Sequence, residues 1–186
     1  MNAPIDVTNI CLETKRIILR PWRESDLHDL YEYACVPGVG EMAGWNHHQS
    51  PEESQRILTS FIRNKKTFAL ELKESKKVIG SVGIEPRDED AGLPGVLQGR
   101  EIGYVLSKDY WGQGLMTEAV MAVIDFCFTA LKYDYLTCGH FNHNDRSRRV
   151  VEKCGFRYLK DVITNTARGV EEQGKLYVLY NPNKER

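Results

Sequence analysis

Apolar residues recur at two different spacings along the first part of the chain, and the two spacings predict different elements. The apolar run Ile17-Ile18-Leu19 within residues 12–22 predicts a strand that ends at Pro21. From about Ser25, apolar residues recur every three or four positions, which predicts a helix. Its buried face would consist of Leu27, Leu30, Tyr31 and Ala34.

A second helix is predicted from Ser50 to about Asn64. The segment Ser50-Pro51-Glu52-Glu53 combines an N-cap serine, a proline at the first helical position and a capping-box glutamate. The residues expected to be buried are Ile57, Leu58, Phe61 and Ile62. Two apolar runs follow, at 67–72 and 77–85, with a polar turn at Glu74-Ser75, and they predict an antiparallel hairpin.

The second half of the chain alternates predicted strands and helices. Strands are expected at 100–106, 135–139, 156–162 and 175–180, and helices at 114–131 and 144–153. The helix at 114–131 is apolar on most of its circumference, so we expect other elements to cover it on several sides. Residues 86–99 form a loop rich in Asp, Glu, Gly and Pro. The pattern predicts one mixed α/β domain over residues 1–186, with a core at about 12–180.

Composition narrows the class of protein. The chain has 186 residues, of which 41% are hydrophobic and 27% charged, and these values are typical of one soluble globular domain. Its net charge of −1 gives no electrostatic case for binding nucleic acid. The sequence has neither a signal-peptide pattern at its start nor 18 consecutive apolar residues, so we expect no secretion and no membrane span.

The cysteines and histidines do not predict a metal site. The five cysteines are scattered and form no Cys-x-x-Cys pair, which favours reduced thiols in the cytoplasm. Cys138-x-His140-x-x-His143 lacks the further ligand pair that would complete a structural zinc site. We therefore expect no metal, with Cys127 and Cys154 in the core.

The segment 110–119 (YWGQGLMTEA) is the most informative part of the chain. A strand leads into a turn with glycines at 112 and 114, and the turn opens directly into an apolar helix. The first N–H groups of such a helix have no intrahelical partner and favour an anion such as phosphate. No Lys or Arg lies between Asp109 and Leu131, so main-chain groups would provide most of the grip. The alternative is an ordinary tight turn before a helix.

Four segments together resemble the GNAT acetyltransferase superfamily, and more narrowly its RimJ/RimL-like branch. They are residues 12–21 (LETKRIILRP), 80–84 (GSVGI), 101–106 with the glycine turn, and 144–156 (NDRSRRVVEKCGF). The superfamily turn Gln/Arg-x-x-Gly-x-Gly/Ala maps onto 111–116, where only Gly114 matches strictly; Trp-Gly-x-Gly is common in the branch. The resemblance implies an α/β fold with a mixed, mostly antiparallel sheet of about seven strands and about four helices, whose central strands splay to admit coenzyme A.

The resemblance also implies acetyl-CoA as the donor and a primary amine as the acceptor. Main-chain N–H groups of the turn would hold the pyrophosphate, and the pantetheine arm would pair with the open edge of strand 101–106. A main-chain N–H near Tyr104 or Val105 would face the thioester oxygen. The residues expected to bind the coenzyme are Tyr104, Val105, Leu106, Gly112, Gln113, Gly114, Leu115, Met116, Thr117, Asn144 and Ser147.

Two side chains are the candidates for proton transfer. Ser147 would donate a proton to the leaving thiolate, although it and Asn144 also fit a solvated helix serine and a plain N-cap. Glu101 is the first candidate for the base and Glu85 the second, and either also fits an exposed carboxylate at the rim. Arg146, Arg148 and Arg149 can favour the 3′-phosphate or form a solvated helix face.

The acceptor site would be built from the loop 36–48, the helix after Ser50 and the loop 86–99. Tyr33 and Trp45 would provide apolar walls, with Glu85 near the substrate. The acidic run 88–90 either attracts a cationic amine or is a solvated loop. The acceptor would be a protein N-terminus or a small amine such as a polyamine, amino sugar or antibiotic. A non-catalytic acyl-CoA sensor and a structural protein stay open as alternatives, and a homodimer is compatible with the resemblance.

Overall fold

The computed structural model of the protein describes residues 1–87, 92–94 and 96–184. Within these residues the chain forms eight strands and four α-helices. In chain order they are β1 (Leu12–Glu13), β2 (Ile17–Pro21), α1 (Leu27–Ala34), α2 (Pro51–Asn64), β3 (Thr67–Leu72), β4 (Val78–Glu85), β5 (Gly99–Leu106), α3 (Leu115–Thr129), β6 (Tyr135–Phe141), α4 (Asp145–Lys153), β7 (Arg157–Asn165) and β8 (Glu171–Tyr180). The acidic run 88–90 lies outside the described residues.

All eight strands belong to one sheet, in the order β1-β2-β3-β4-β5-β6-β8-β7. Every neighbouring pair is antiparallel except β5–β6, so the expected mixed, mostly antiparallel α/β architecture is confirmed. The strand predicted at 12–22 is in fact two strands, because the chain turns between Thr14 and Ile17. This turn accounts for eight strands where about seven were expected.

Helices cover both faces of this sheet. The main core lies under α3, on the face that carries Ile102 and Leu106 of β5. A smaller cluster lies under α1 and α2 on the opposite face and includes Leu30, Leu58 and the partly buried Val105. Successive residues of β5 therefore contact different layers, as the two-residue period of a strand requires.

The buried faces of α1 and α2 differ from the predicted faces. In α1 the buried residues are Leu30, Tyr33 and Ala34, whereas Leu27 and Tyr31 are only half-buried. In α2 the buried residues are Ser54 and Leu58, and the predicted core residue Ile57 is exposed. Leu27, Phe61 and Ile62 nevertheless pack against the same cluster as Leu30 and Leu58. The predicted faces therefore differ from the observed ones mainly at Tyr31 and Ile57.

The cysteines are free thiols, and Cys127, Cys138 and Cys154 are buried, which includes both of the predicted core cysteines. Burial raises the pKa of the Cys154 thiol to about 11. Among the described residues, no helix is both long and apolar enough to cross a lipid bilayer.

Candidate active site

A cleft opens where β5 and β6 separate. The two strands are paired only from Gly99–Tyr135 to Ile102–Cys138, and residues 103–106 of β5 are paired with β4 alone. The cleft continues from this gap between the glycine turn, the start of α3, α4 and the loop before α2. Every residue predicted to bind the coenzyme lines it except Gln113, whose exposed side chain donates to the carbonyl of Asp109.

The register of β4 and β5 decides which main-chain groups face the gap. Ser107 N–H donates to the carbonyl of Ile79 at 2.8 Å, which fixes the alternation along this antiparallel pair. The N–H of Val105 is therefore directed at β4, and those of Tyr104 and Leu106 are directed away from β4. The carbonyl of Leu106 is also directed away from β4, since it accepts a hydrogen bond from Trp111 Nε1 at 2.8 Å. The sequence predicts the main-chain N–H of Tyr104 or of Val105 as the donor to the thioester oxygen. The N–H of Tyr104 faces the gap, and that of Val105 does not.

The glycine turn brings the start of α3 to the cleft. Gly112 and Gly114 have φ values of 78° and 76°, in the left-handed region that favours glycine. Gly114 is the N-cap of α3, and its carbonyl accepts from the N–H of Glu118 at 3.1 Å. The N–H groups of residues 115–117 precede this first helical hydrogen bond, so the helix itself leaves them available to an anion in the cleft.

A distant side chain braces this turn. Arg16, between β1 and β2, donates from Nη1 to the carbonyl of Gln113 at 3.0 Å and from Nε to Glu118 at 2.7 Å. The Glu118 carboxylate also accepts from Thr14 Oγ1 at 2.6 Å and from the N–H of Arg16 at 2.8 Å. Partial burial opposes ionisation of Glu118, but these hydrogen bonds outweigh it and lower its pKa. A basic group thus holds the turn, although the sequence between Asp109 and Leu131 contains no Lys or Arg.

The start of α4 forms the opposite wall of the cleft. Asn144 is buried and caps the helix, since its Oδ1 accepts from Ser147 N–H at 3.1 Å. Its Nδ2 donates to the carbonyl of Met42 at 3.2 Å, which ties the loop before α2 to α4. One proton of the carboxamide stays available for a further hydrogen bond toward the cleft. Ser147 is also buried, and its hydroxyl lies 2.8 Å from that of Tyr104.

The three arginines of α4 divide into two groups. Arg146 and Arg149 line the cleft, and Arg146 lies over the ring of Trp111 at 4.6 Å from its centroid. Arg148 is instead paired with Asp145 at 3.1 Å and with Glu152 at 3.5 Å. The side of α4 that faces the cleft is therefore positive, and Arg148 belongs to the solvated face that the sequence offered as the alternative.

The loop before α2 is held by one carboxylate. Glu41 accepts from Gly38 N–H at 2.8 Å and from His47 Nδ1 at 2.8 Å. Partial burial opposes ionisation, but the hydrogen bonds from His47 and from main-chain N–H groups keep the pKa of Glu41 at about 2. Trp45 packs against His48 with ring centroids 5.0 Å apart. Neither Trp45 nor Tyr33, a buried residue of α1, contributes to the lining of the cleft.

The two candidate bases lie opposite each other on neighbouring strands, on the face covered by α1 and α2. Glu85 of β4 is in register with Glu101 of β5. Lys66 forms an ion pair with Glu85, and Thr137 Oγ1 donates to Glu101 at 3.4 Å. The Glu85 side chain lies over Gly83, where a Cβ would collide with its carboxylate. Glu101 precedes Tyr104 by three residues and lies at the last paired part of β5–β6.

Sequence reasoning missed Arg16, Glu118, Trp111 and Met42. Each acts through a contact with a partner far away in the chain or through a main-chain carbonyl, and no spacing pattern encodes such a contact. Only Glu118 carried a local signal, since a carboxylate in the first turn of a helix is favoured by the helix dipole.

Comparison with known proteins identifies the family. Residues 16–157 match the model of the acetyltransferase (GNAT) domain. A Bacillus subtilis protein named "Probable N-acetyltransferase YjcK" is 40% identical over 98 residues, which make up 50% of this chain and 52% of that protein. The chain thus matches about half the length of this relative.

Solved structures share the fold. The ribosomal-protein-S5-alanine acetyltransferase from Vibrio fischeri superposes with a TM-score of 0.72 at 21% identity, over 96% of this chain and 100% of that one. The microcin C7 self-immunity acetyltransferase MccE, solved with acetyl-CoA and AMP, superposes with a TM-score of 0.73 at 18% identity, over 89% and 93% of the two chains. With the family match, these findings identify the chain as a member of the GNAT acetyltransferase family, an N-acetyltransferase domain whose acetyl donor is acetyl-CoA.

Proposed function

We propose that the protein acetylates the α-amino group at the N-terminus of a polypeptide, as a RimJ/RimL-like member of its family. The observation that carries the proposal is the pair of carboxylates, Glu85 and Glu101, beside the point where β5 leaves β6. The name of the Vibrio fischeri relative, a ribosomal-protein acetyltransferase, supports a polypeptide as the acceptor.

Acetyl-CoA would lie along the gap between β5 and β6. The N–H groups at the start of α3 would hold the pyrophosphate, and the positive side of α4 would favour the remaining phosphate. The free edge of residues 104–106 would pair with the pantetheine arm, with Asn144 as a further partner. The N–H of Tyr104 would then donate to the thioester oxygen, and removal of such a donor typically costs about 10²–10³-fold in rate.

The transfer itself needs no covalent intermediate on the protein. The neutral amine nitrogen attacks the thioester carbon, a C–N bond forms, and the C–S bond breaks with its electron pair on sulfur. The nitrogen loses one proton. The sulfur gains one through the hydroxyl of Ser147, which gives up its proton as it takes another from solvent in the cleft. Atoms and charge therefore balance between amine plus thioester and amide plus thiol.

Glu101 is the proposed base. Two carboxylates facing each other across strands repel, so a cation beside them is favoured. Lys66 offsets the charge of Glu85. Glu101, at the end of the paired part of β5, would attract the amine and take its proton, directly or through water. An α-amino group with a pKa of about 7.7–8.0 is substantially neutral near physiological pH, whereas a lysine near 10.4 is almost fully protonated. One surface carboxylate is thus a sufficient base for an N-terminus.

Replacement of Glu101 with glutamine tests this assignment. We expect turnover to fall by about 10²-fold and its pH optimum to move upward, because without the base the reaction depends on amine that is already neutral. Steady-state rates of coenzyme A release between pH 6 and 9, set around the amine pKa, provide the measurement. Glu74→Gln, in the exposed turn between β3 and β4, is the control for loss of one carboxylate. An unchanged rate across this pH range would remove Glu101 from the role.

A small amine is the second candidate acceptor, since MccE is an acetyltransferase solved with a nucleotide in place. A panel separates the two: peptides with a free N-terminus, the same peptides with a blocked N-terminus and one lysine, a polyamine, and an amino sugar. Acetylation of the free-N-terminus peptides alone supports the proposal, and preference for a small amine replaces it. Binding of acetyl-CoA without release of coenzyme A to any acceptor would support a sensor.

A further inference from the structure

Tyr104 and Ser147 join β5 to α4 through their hydroxyl groups. The Tyr104 hydroxyl oxygen lies 2.8 Å from Ser147 Oγ and 3.2 Å from the Ser147 carbonyl oxygen. Ser147 is buried. Tyr104 lies two residues after Ile102, which is the last residue of β5 paired with β6. The contact therefore lies at the point of the cleft where the thioester would be held.

The two hydroxyls can share their protons in two ways. In the first arrangement Tyr104 donates to Ser147 Oγ, and the serine proton is free to be directed into the cleft. In the second, Ser147 donates to Tyr104, and the tyrosine proton goes to the longer contact with the Ser147 carbonyl. Only the first arrangement allows Ser147 to donate to a ligand, because a hydroxyl has one proton.

The surroundings of Tyr104 keep its hydroxyl group protonated. Burial of the hydroxyl, with the Cys138 thiol alongside, raises the pKa of Tyr104 well above its ordinary value. The phenol therefore keeps its proton throughout the physiological range.

We propose that Tyr104 is a positioning residue, which donates to Ser147 Oγ and so directs the serine proton at the coenzyme sulfur. The inference rests on the proposed function of Ser147. Negative charge that develops on the sulfur selects the first arrangement over the second, so the interaction strengthens as the C–S bond breaks. Interactions that are stronger in the transition state than in the ground state are those that accelerate a reaction.

The pKa of the coenzyme thiol, when coenzyme A is bound to the protein, reports on this interaction without any acceptor. The ultraviolet absorbance of the thiolate is titrated in the complex, and the same protein with desulfo-coenzyme A provides the blank for the protein's own thiols. A hydrogen bond to a charged atom shifts its ionisation by about one pH unit or more. Ser147→Ala should therefore raise the thiol pKa by about one unit.

Tyr104→Phe decides the inference. We expect it to raise the thiol pKa in the wild-type background and to have no further effect in the Ser147→Ala background, because it acts through Ser147. With an acceptor present, it should lower kcat by about tenfold and leave KM for acetyl-CoA unchanged, as for an interaction made only in the transition state. Tyr158→Phe, on the exposed edge strand β7, is the matched control. Tyr104→Met is a second variant without the hydroxyl.

Two results would overturn the inference: a wild-type thiol pKa in folded Tyr104→Phe, or an equal effect of this substitution with and without Ser147. Failure of the proposed function gives a different result. If coenzyme A binds and the variants titrate as expected but no amine is acetylated, acyl transfer is wrong and the hydroxyl pair stands. If the wild-type protein does not bind coenzyme A, the proposed function and this inference are both wrong.

Discussion

Replacing Arg16 with alanine removes a side chain that connects the glycine turn to the first turn of α3 and to the segment between β1 and β2. The guanidinium contacts the Gln113 carbonyl on one side and the Glu118 carboxylate on the other. The turn, which has two residues in the left-handed region, would then keep only the contacts of Trp111 and its covalent connection to α3 among the contacts described above. We expect the main-chain donors at 112–117 to become less ordered and to bind the coenzyme phosphates more weakly.

The magnitude follows from the exposure of the pair. The Arg16 side chain is 42% exposed and that of Glu118 19% exposed. Exposed ion pairs contribute about 0–1 kcal/mol, and a hydrogen bond to a charged group in a protected position about 1.5–3 kcal/mol. The Arg16–Glu118 pair is closer to an exposed ion pair than to a buried one. We therefore expect the free energy of coenzyme binding to weaken by about 1 kcal/mol, which is roughly a fivefold higher Kd.

Titration calorimetry with coenzyme A measures this change, and hydrogen exchange of the amides at 112–117 reports the order of the turn. Lys15→Ala is the control, because it removes the same charge from an exposed neighbouring side chain. Arg16→Lys separates charge from geometry, since an ammonium cannot contact both partners as the planar guanidinium does. The reasoning is wrong if Arg16→Ala binds coenzyme A within twofold of wild type, or if Lys15→Ala weakens binding equally.

Two further predictions concern the turn and the loop before α2. Gly114→Ala places a residue with a β-carbon in the left-handed region, where that carbon would lie 3.7 Å from Arg16 and meet no clash. We expect backbone strain of about 1–2 kcal/mol, measured as a lower melting temperature and weaker coenzyme binding. His48 is buried, and its Nδ1 lies 2.6 Å from Ser54 Oγ. Burial lowers the pKa of His48 below the unfolded value near 6.5, so the unfolded chain binds a proton at this residue more readily than the folded one. Stability should be full above about pH 6.5 and decrease as the pH falls from there toward the folded pKa, and urea unfolding of His48→Asn should show a flatter dependence.

Local features of the chain were predictable because each depends on neighbours in sequence. The Ser50 cap, the glycine turn and the Asn144 cap all occur where their patterns predict them, since a cap or a tight turn is decided by a few successive residues. The position of Ser147 beside Asn144 follows from the same helix start. The resemblance to the family then supplied the mixed, mostly antiparallel sheet and the splaying of its central strands.

Long-range contacts were not predictable in this way. Arg16 and Gln113 are separated by 97 positions, and only the packing of β2 beside α3 brings them together. The buried side of α1 was misjudged because Tyr31 and Tyr33 are both compatible with an amphipathic helix, and the neighbouring helix decides which is covered. Likewise, the choice between the N–H groups of Tyr104 and Val105 depends on the register of β4, which the sequence of β5 does not contain.

In the proposed reaction, the alternation of side chains along β5 would bring the two halves of the chemistry to this strand. Tyr104 and Leu106 lie on the face of α3 and α4, whereas Glu101 and Val105 lie on the face of α1 and α2. The main-chain N–H groups of Tyr104 and Leu106 lie in the plane of the sheet and are directed into the gap left by β6. In the proposed function, a thioester held in that gap would meet Ser147 from one face, the Tyr104 N–H in the plane of the sheet, and the acidic pair from the other face. The proposed transfer, with a carbonyl carbon between a leaving sulfur and an attacking amine, would use these three directions, and β5 offers them because it loses its partner after Ile102.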